Sequence, residues 1–278
     1  MPQDRPDAQS RTGFDTESDP RFYAYYERES LSEATLARFR TIKGKLLALA
    51  SRQGIATQML DVADIGCGAG TQSRLWAEDG HRVHGLDVNA SLIELARRRA
   101  NEAGLAIAFD VGSATALPYE DGSMDVCLLP ELLEHVPDWQ GCLNEAVRVL
   151  RPRGLLFLST TNFLCPIQQE FNLPLYSWYP GFVKRRFERL AVTSRPGLAN
   201  HAKYPAVHWF SPYQLAEYLS ARGVECFDRF DMLDVSKFSV LPRFAVRAAR
   251  AAPPLRLLAH VLTEGTTIFG IKRLSRDR

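Results

Sequence analysis

Residues 61–70 read Asp-Val-Ala-Asp-Ile-Gly-Cys-Gly-Ala-Gly, and a short helical pattern follows them at residues 71–78. The apolar residues predict a buried strand, and three glycines in five positions predict a tight turn into the helix. Side chains at Gly66, Gly68 or Gly70 would keep a ligand away from the backbone amides, and a helix N-terminus offers unpaired N–H groups. The stretch therefore predicts a site for a small polar ligand.

The residues around the turn narrow the class of ligand. A dinucleotide fingerprint needs a third glycine three places after the second, where this chain has Thr71. Asp64, just before the turn, would repel a pyrophosphate and attract a cationic group. These two residues disfavour a nicotinamide cofactor. The stretch from Asp64 to Gly70 resembles motif I of the class I S-adenosylmethionine-dependent methyltransferases.

Composition sets broad limits on the other functions that the chain could have. With 46% apolar and 24% charged residues, the chain has the make-up of a soluble globular protein. A net charge of +2 argues against a partner bound mainly through phosphates, so bulk nucleic acid is not expected. The five cysteines are scattered and form no Cys-x-x-Cys pair, which indicates neither a disulfide framework nor a structural zinc site.

The first 20 residues are polar and charged, with neither a signal peptide nor a membrane span. We expect residues 1–20 to form a flexible arm, residues 21–278 to form a single domain, and the protein to be cytoplasmic.

A second carboxylate lies at the sequence spacing that is typical of a nucleoside site. Residues 82–87 predict the second strand, and its last residue, Asp87, stands 21 positions after Gly66. A carboxylate at about this spacing closes on the ribose hydroxyls in nucleoside-binding βαβ units. Spacing alone would equally suit a solvated turn aspartate. The glycine turn in front of it favours the ribose role.

The pattern of elements predicts the fold. After a first amphipathic helix, strand and helix patterns alternate five times up to residue 159, which predicts an α/β, doubly wound parallel sheet with ligands at the carboxyl ends of its strands. Residues 224–232 and 266–272 predict two further strands. The resemblance implies a Rossmann-like sheet of seven strands, mostly parallel, with an antiparallel last strand at its far end.

Two further segments carry the resemblance. The loop at residues 112–125 is similar to the family's adenine-side loop, where Gly-Asp-Ala is usual; here Ser113 and Ala114 follow the glycine, and a hydroxyl replaces the carboxylate. Residues 130–138, Pro-Glu-Leu-Leu-Glu-His-Val-Pro-Asp, resemble the segment after strand four in small-molecule methyltransferases of the ubiquinone-biosynthesis type. The Asn-Pro-Pro run of the N6-adenine enzymes is absent, which favours a small-molecule acceptor.

The resemblance implies S-adenosylmethionine as cofactor and in-line transfer of its methyl group. It places Asp64 near the methionine portion, Asp87 at the ribose and the loop with Ser113 beside adenine, and Pro130 begins the segment that borders this site. For a hydroxyl acceptor a base is needed. His135 is the first candidate because its unperturbed pKa is about 6.5, with Glu131 four residues earlier on the same helical face. A histidine that only satisfies a helix end is the competing interpretation.

Metal ligation is not expected at this segment, because Glu131, Glu134 and His135 lack a second histidine at ligand spacing.

Two insertions complete the domain. Residues 161–209 are rich in aromatic residues and proline, which predicts a cap after strand five that builds an acceptor pocket or only completes the core. Residues 234–264 predict a helical excursion between the last two strands. Within it, residues 238–262 mix apolar residues with arginines, which suits a peripheral membrane contact, a dimer face or extra core packing.

The sequence thus predicts a methyltransferase acting on a small-molecule hydroxyl, with S-adenosylmethionine as cofactor. A nicotinamide-dependent oxidoreductase and a non-catalytic S-adenosylmethionine-binding subunit are the alternatives. The acceptor, the methylated atom and the oligomeric state are left open.

Overall fold

The computed structural model describes Tyr23, residues 26–199, Ala206 and residues 208–274. The arm predicted for residues 1–20 lies outside these described residues. The strands are β1 (Asp61–Ile65), β2 (Arg82–Asp87), β3 (Ile107–Val111), β4 (Met124–Pro130), β5 (Leu150–Thr160), β6 (Val224–Asp228) and β7 (Thr266–Lys272). The α-helices are α1 (Glu33–Arg52), α2 (Thr71–Ala77), α3 (Ala90–Glu102), α4 (Trp139–Val149), α5 (Gly181–Thr193), α6 (Pro212–Ser220), α7 (Val240–Ala251) and α8 (Pro253–Val261).

The strands form one seven-stranded sheet in the order β3-β2-β1-β4-β5-β7-β6. Strands β1 to β5 pair in parallel, and β7 is antiparallel to both of its neighbours. The predicted fold class is confirmed. The position of the antiparallel strand differs from the prediction, because β7 lies between β5 and β6 and not at the far end. Both edges of β7 are paired as a result, and β6 forms the edge of the sheet.

Alternation along the central strands buries both faces of the sheet. In β4, Val126 and Leu128 pack in the same cluster as residues of α1 and α2, including Trp76. Cys127 and Leu129 point the other way and pack with residues of α4 and α6. Because successive side chains of a strand face opposite sides, a run of apolar residues is what a doubly covered parallel strand requires.

Two predictions differ from the structure in part. Residues 112–123 form a loop, as predicted for this segment, so no helix lies between β3 and β4 and the predicted five-fold alternation of strand and helix is interrupted there. Side chains of α4 satisfy the backbone of the loop: Glu145 accepts from the amide of Leu117, and Arg148 donates to its carbonyl. The predicted strand at residues 224–232 ends at Asp228, whose carboxylate accepts from the amide of Phe230 and bends the chain.

The topology gathers several strand ends at one edge of the sheet. Strands β1, β2, β4 and β5 are parallel, so Ile65, Asp87, Pro130 and Thr160 end at the same edge. Strand β6 is antiparallel to β7 and therefore runs in the same direction as β5. The insertion that holds α7 and α8 starts and returns at this edge as well. Among the described residues, no helix combines the length and the apolar character needed to cross a membrane.

The contact between β5 and β7 gives a test of the core. Phe157 is 1% exposed and packs on Phe269 with ring centroids 5.2 Å apart. We expect Phe157→Ala to lower the free energy of unfolding by about 3–5 kcal/mol, because it removes a buried ring and leaves a cavity. Urea unfolding measures the loss. Phe182→Ala is the matched control, since that ring is 69% exposed; equal losses in the two variants would contradict the packing described.

Candidate active site

The glycine turn lies between β1 and α2 in the left-handed region of backbone space. Gly66, Gly68 and Gly70 have φ angles of 75°, 51° and 73°, which other residues adopt only at a cost. A Cβ atom on Gly66 would lie 2.8 Å from the side chain of Leu132, and one on Gly68 would lie 2.7 Å from the ring of Tyr26. The glycines therefore let side chains of the protein itself approach the turn.

Asp64 is a buried carboxylate on the central strand, directly before the turn. Its exposed fraction is 0%, and Oδ2 accepts a 2.5 Å hydrogen bond from the hydroxyl of Ser73 on α2. Oδ1 has no partner among the described residues. Burial raises the pKa of Asp64 to about 6, and the charge of Asp87 acts in the same direction. A desolvated anion with one unused oxygen is suited to a cationic ligand.

Asp87 holds the other side of the turn. Oδ2 accepts from the amide of Gly68 at 2.9 Å, and Oδ1 accepts from the amide of Asn89 at 2.9 Å. Burial raises the pKa of Asp87, and these backbone hydrogen bonds oppose the shift. The two bonds fix the orientation of the carboxylate. Each oxygen retains a lone pair for a hydroxyl group of a ligand.

An N-terminal segment covers the turn from outside the sheet. Arg99 of α3 donates to the carbonyl of Tyr26 at 3.1 Å, to that of Glu27 at 2.8 Å and to the hydroxyl of Ser30 at 3.1 Å. These bonds place the ring of Tyr26 next to Gly68. The sequence motifs did not identify Arg99, because its partners lie about 70 positions away in the chain.

The loop after β3 places the two predicted adenine-side residues next to each other. Ser113 is exposed, and its hydroxyl accepts from the amide of Thr115 at 3.2 Å, which forms a local turn. Ala114 is buried in the core cluster that also contains Cys127 and Leu129 of β4. The Ser113 hydroxyl also shares a 2.8 Å hydrogen bond with the hydroxyl of Thr115, so it is engaged twice with its own loop.

Pro130 and Glu131 lie at the end of β4. Pro130 pairs with Ser159 of β5, and the amide of Glu131 donates to the carbonyl of Ser159 at 2.9 Å. Glu131 has a φ of 49°, which is unusual for a residue other than glycine. The Ser159 hydroxyl also donates to the Glu131 carboxylate at 2.5 Å and helps to hold this backbone.

The prediction that Glu131 and His135 lie on one face of a helix is wrong. The left-handed backbone of Glu131 starts a series of turns, and the chain between Glu131 and Trp139 forms no helix. His135 is half-buried, and its backbone amide donates to the carbonyl of Leu132. Burial lowers the pKa of its ring, and the charge of Glu131 opposes this shift. The ring is therefore neutral near pH 7 and can accept a proton.

Glu134, which the motif analysis did not select as a base, is 1% exposed. One of its carboxylate oxygens accepts from the Thr160 hydroxyl at 2.7 Å, and the other has no partner among the described residues. Burial raises the pKa of Glu134 well above its usual range, and Glu131 adds to the shift. In the part of the chain that the structure describes, no three His, Cys, Asp or Glu side chains form a group that could hold a metal ion.

Other polar groups near the turn were not identified from the sequence. Gln72 is 3% exposed, and neither its amide oxygen nor its nitrogen has a partner within the described ranges; the Thr71 hydroxyl is in the same situation. Both residues belong to the first turn of α2. Buried polar groups normally find hydrogen bonds, so these two residues are further candidates to contact a polar ligand.

Comparison with known proteins agrees with this geometry. Residues 63–158 match a family described as a methyltransferase domain. The ubiquinone biosynthesis O-methyltransferase of Cupriavidus pinatubonensis is 38% identical over 102 residues, which cover 36% of this chain and 41% of that protein. The protein of the same name from Coxiella burnetii is 36% identical over 110 residues, covering 40% of this chain and 47% of its own length.

The matched segment thus spans less than half the length of these two curated relatives. Among solved structures, phosphoethanolamine N-methyltransferase 2 of Haemonchus contortus is 17% identical, with a TM-score of 0.52 over 91% of this chain and 60% of that one. At this identity the similarity concerns the fold alone. Residues 63–158 match the methyltransferase domain family, and the resemblance predicted from the motifs is confirmed over this segment.

The buried Asp64 predicts a pH-dependent stability. Its folded-state pKa of about 6 lies above the unfolded value of about 3.9. Between these values the folded state binds more protons than the unfolded state, so stability is lost as the pH rises. We expect the free energy of unfolding to fall, relative to Asp64→Asn, by about 1.4 kcal/mol per pH unit between about pH 4 and pH 6.

Urea unfolding of both proteins at several pH values measures this difference. Asp110→Asn, on the exposed end of β3, is the matched control. Parallel pH profiles for wild type and Asp64→Asn would contradict the raised pKa.

Proposed function

We propose that this chain, which carries a methyltransferase domain at residues 63–158, uses S-adenosylmethionine to methylate a hydroxyl oxygen of a small molecule. The observation that carries the proposal is the pair of carboxylates around the glycine turn, of which Asp64 is fully buried and Asp87 is half-buried. Asp64 keeps an unpaired oxygen in a dry environment, and Asp87 is held by the amide of Gly68 at 2.9 Å. A cationic nucleoside would bring a positive charge to Asp64 and ribose hydroxyls to Asp87 in one ligand.

The charge of Asp64 discriminates between cofactor classes. An anion that is fully buried beside the turn is favourable for a cation and unfavourable for a pyrophosphate. When bound, S-adenosylmethionine supplies a methyl group on a positively charged sulfur that is already a good leaving group. Asp64 would face the methionine portion, and the oxygens of Asp87 would accept the ribose hydroxyls. The loop with Ser113 and Ala114 would border the adenine.

The same features weaken the competing interpretation, a nicotinamide-dependent oxidoreductase. A dinucleotide places its pyrophosphate on the turn and the following helix end. Here Asp64 lies beside that turn, Thr71 replaces the third glycine of the fingerprint, and α2 has only seven residues.

The segment after β4 supports an oxygen acceptor. A hydroxyl loses its proton when it is methylated, so a neutral base at this edge of the sheet assists the transfer. His135 is held by the turn from Leu132, and the lowered pKa of its ring keeps it ready to take that proton. Glu131 then stabilises the imidazolium that forms. Both curated relatives described above are named O-methyltransferases, which supports the same choice.

The first prediction concerns the cofactor. We expect Asp87→Ala to weaken S-adenosylmethionine binding by about 100-fold or more, because each of two hydrogen bonds to a charged acceptor contributes at least about 1.5 kcal/mol. Isothermal titration calorimetry measures the affinity, with thermal unfolding as a check of the fold. Asp79→Ala is the matched control, since Asp79 pairs with Lys43 at the far end of α2.

Unchanged affinity in Asp87→Ala would refute the assignment of this site. A titration of both proteins with reduced nicotinamide cofactor covers the alternative class: if Asp87→Ala weakens that binding, the oxidoreductase interpretation is restored.

The second prediction concerns the base. We expect His135→Ala to lower the rate of methyl transfer by about 100-fold or more while cofactor affinity stays the same, because the ring acts only on the acceptor. The assay follows label from methyl-labelled S-adenosylmethionine into small molecules of a cell extract. Added imidazole restores part of the rate. His208→Ala is the matched control, because the side chain of His208 contacts the carbonyl of Pro137 beside the same segment.

Equal rates in His135→Ala and wild type would exclude His135 as the base. Binding of the cofactor without any label transfer would support the third interpretation, a subunit that binds S-adenosylmethionine without catalysis.

A further inference from the structure

The two helices of the insertion between β6 and β7 expose apolar side chains to solvent. We define the apolar face as the large apolar residues that these helices and the residue after them expose, between 44% and 82% each: Val240, Leu241, Phe244, Leu255, Leu257, Leu258 and Leu262. Scattered exposed apolar residues are common, but six on two consecutive helices that pack together, with a seventh directly after them, are typical of an interaction site.

In these two helices several polar side chains point toward the protein and large apolar side chains point to solvent, which is the reverse of an ordinary surface helix. The guanidinium group of Arg250 points inward and donates to the carbonyls of Phe230 and Leu233. Arg256 likewise donates to Asp228 at 2.8 Å, and the ring of His260 contacts the same carboxylate at 2.8 Å. The polar groups thus fix the helices to the end of β6. The apolar face is what remains on the outside, whereas a helix of a water-soluble surface normally places such residues inward.

The apolar face lies at the edge of the sheet where the candidate active site is located. Asn162, two residues after β5, donates to the carbonyl of His260 at 2.9 Å and to that of Thr263 at 2.8 Å. At the same strand end, Thr160 donates to Glu134 of the active-site segment. One short stretch of chain therefore connects α8 with the segment that contains the candidate base.

The charge of the insertion favours one kind of partner. The insertion, residues 229–265, contains one lysine and five arginines against two aspartates and one glutamate, which gives a net charge of +3. Lys237 is exposed and lies 4.0 Å from the carboxylate of Asp234. Arg247 is exposed as well and lies three residues after Phe244, on a neighbouring position of α7. A second copy that pairs through the same face about a two-fold axis would bring two surfaces of net positive charge together. An anionic lipid surface matches both the apolar residues and the charge.

We propose that the apolar face docks on an anionic lipid bilayer and delivers to the active site an acceptor that is dissolved in that bilayer. The docking stands on its own observations, and the nature of the acceptor rests on the proposed methyltransferase function. Phe244 and the leucines of α8 enter the interfacial region of the lipid, while Arg247 and Lys237 contact the anionic headgroups.

Co-sedimentation of the full chain with vesicles tests the docking. The probes are vesicles of phosphatidylcholine alone and of phosphatidylcholine with roughly one-third phosphatidylglycerol. We expect binding to the anionic vesicles, about five-fold weaker binding for Arg247→Gln, and at least about ten-fold weaker binding for Phe244→Asp. All these positions are exposed, so the variants retain their fold, which circular dichroism verifies.

Two matched controls make the same kind of change away from the face. Met59→Asp places a charge on a residue that is 66% exposed just before β1, at the opposite edge of the sheet. Arg98→Gln removes an exposed charge from α3. Both are expected to bind anionic vesicles as the wild type does. Equal binding of Phe244→Asp and wild type, or equal binding to both vesicle types, would overturn the proposal.

A dimer in solution that Phe244→Asp dissociates would also overturn the proposal, because the apolar face would then bind a second copy of the chain.

Calorimetry with S-adenosylmethionine separates the docking from the proposed function. Loss of vesicle binding with intact cofactor affinity in Phe244→Asp supports a separate docking surface. If the wild type fails to bind vesicles but binds the cofactor, only the docking fails; vesicle binding without cofactor binding refutes the methyltransferase proposal alone.

Discussion

The arrangement of the site depends on two carboxylates that hold the glycine turn from opposite sides. Asp64 reaches α2 through the Ser73 hydroxyl, and Asp87 reaches the turn through the amide of Gly68. Asp64 is fully buried and Asp87 is half-buried, and burial raises the pKa of each. Their mutual repulsion is unfavourable in the free protein. A ligand that brings a positive charge and hydroxyl groups relieves it, so the cost of burying these carboxylates is recovered on binding.

The sheet topology explains why the rest of the chemistry lies at one edge. Parallel strands end together, which places Pro130 and Thr160 beside the end of β1. The reversed strand β7 adds a further connection at this edge, since the insertion that precedes it must return there. The glycine turn, the segment that contains His135 and the helices α7 and α8 are thus neighbours because of strand direction, although about 200 residues separate the first from the last.

The parts of this arrangement that local sequence determines were predictable. The glycine turn, Asp64 and Asp87 follow from spacing within one βαβ unit, because residue types there are set by backbone shape and by short-range contacts. The helical pairing of Glu131 and His135 was wrong, because the left-handed backbone of Glu131 depends on Ser159, a contact to another strand.

Two other features, the position of Tyr26 and the burial of Lys184, depend on long-range contacts and could not be predicted from the sequence. The ring of Tyr26 is placed on the turn by Arg99. Lys184, in a basic run of the sequence, is buried with its amine 4.3 Å from the ring centre of Trp209. Neither contact leaves a periodic or spacing signal.

The charges of the site change together during the proposed reaction. A bound cofactor would bring its positive charge next to the carboxylates at the turn. Transfer of its methyl group to a hydroxyl would leave the cofactor neutral and the acceptor with one proton to release. If His135 took this proton, the positive charge would move toward Glu131, whose carboxylate raises the pKa of the ring. The positive charge would then remain among the groups of the site across the step. Because moving a net charge out of a buried site is costly, a base that keeps the charge inside is physically favoured over direct release of the proton to water.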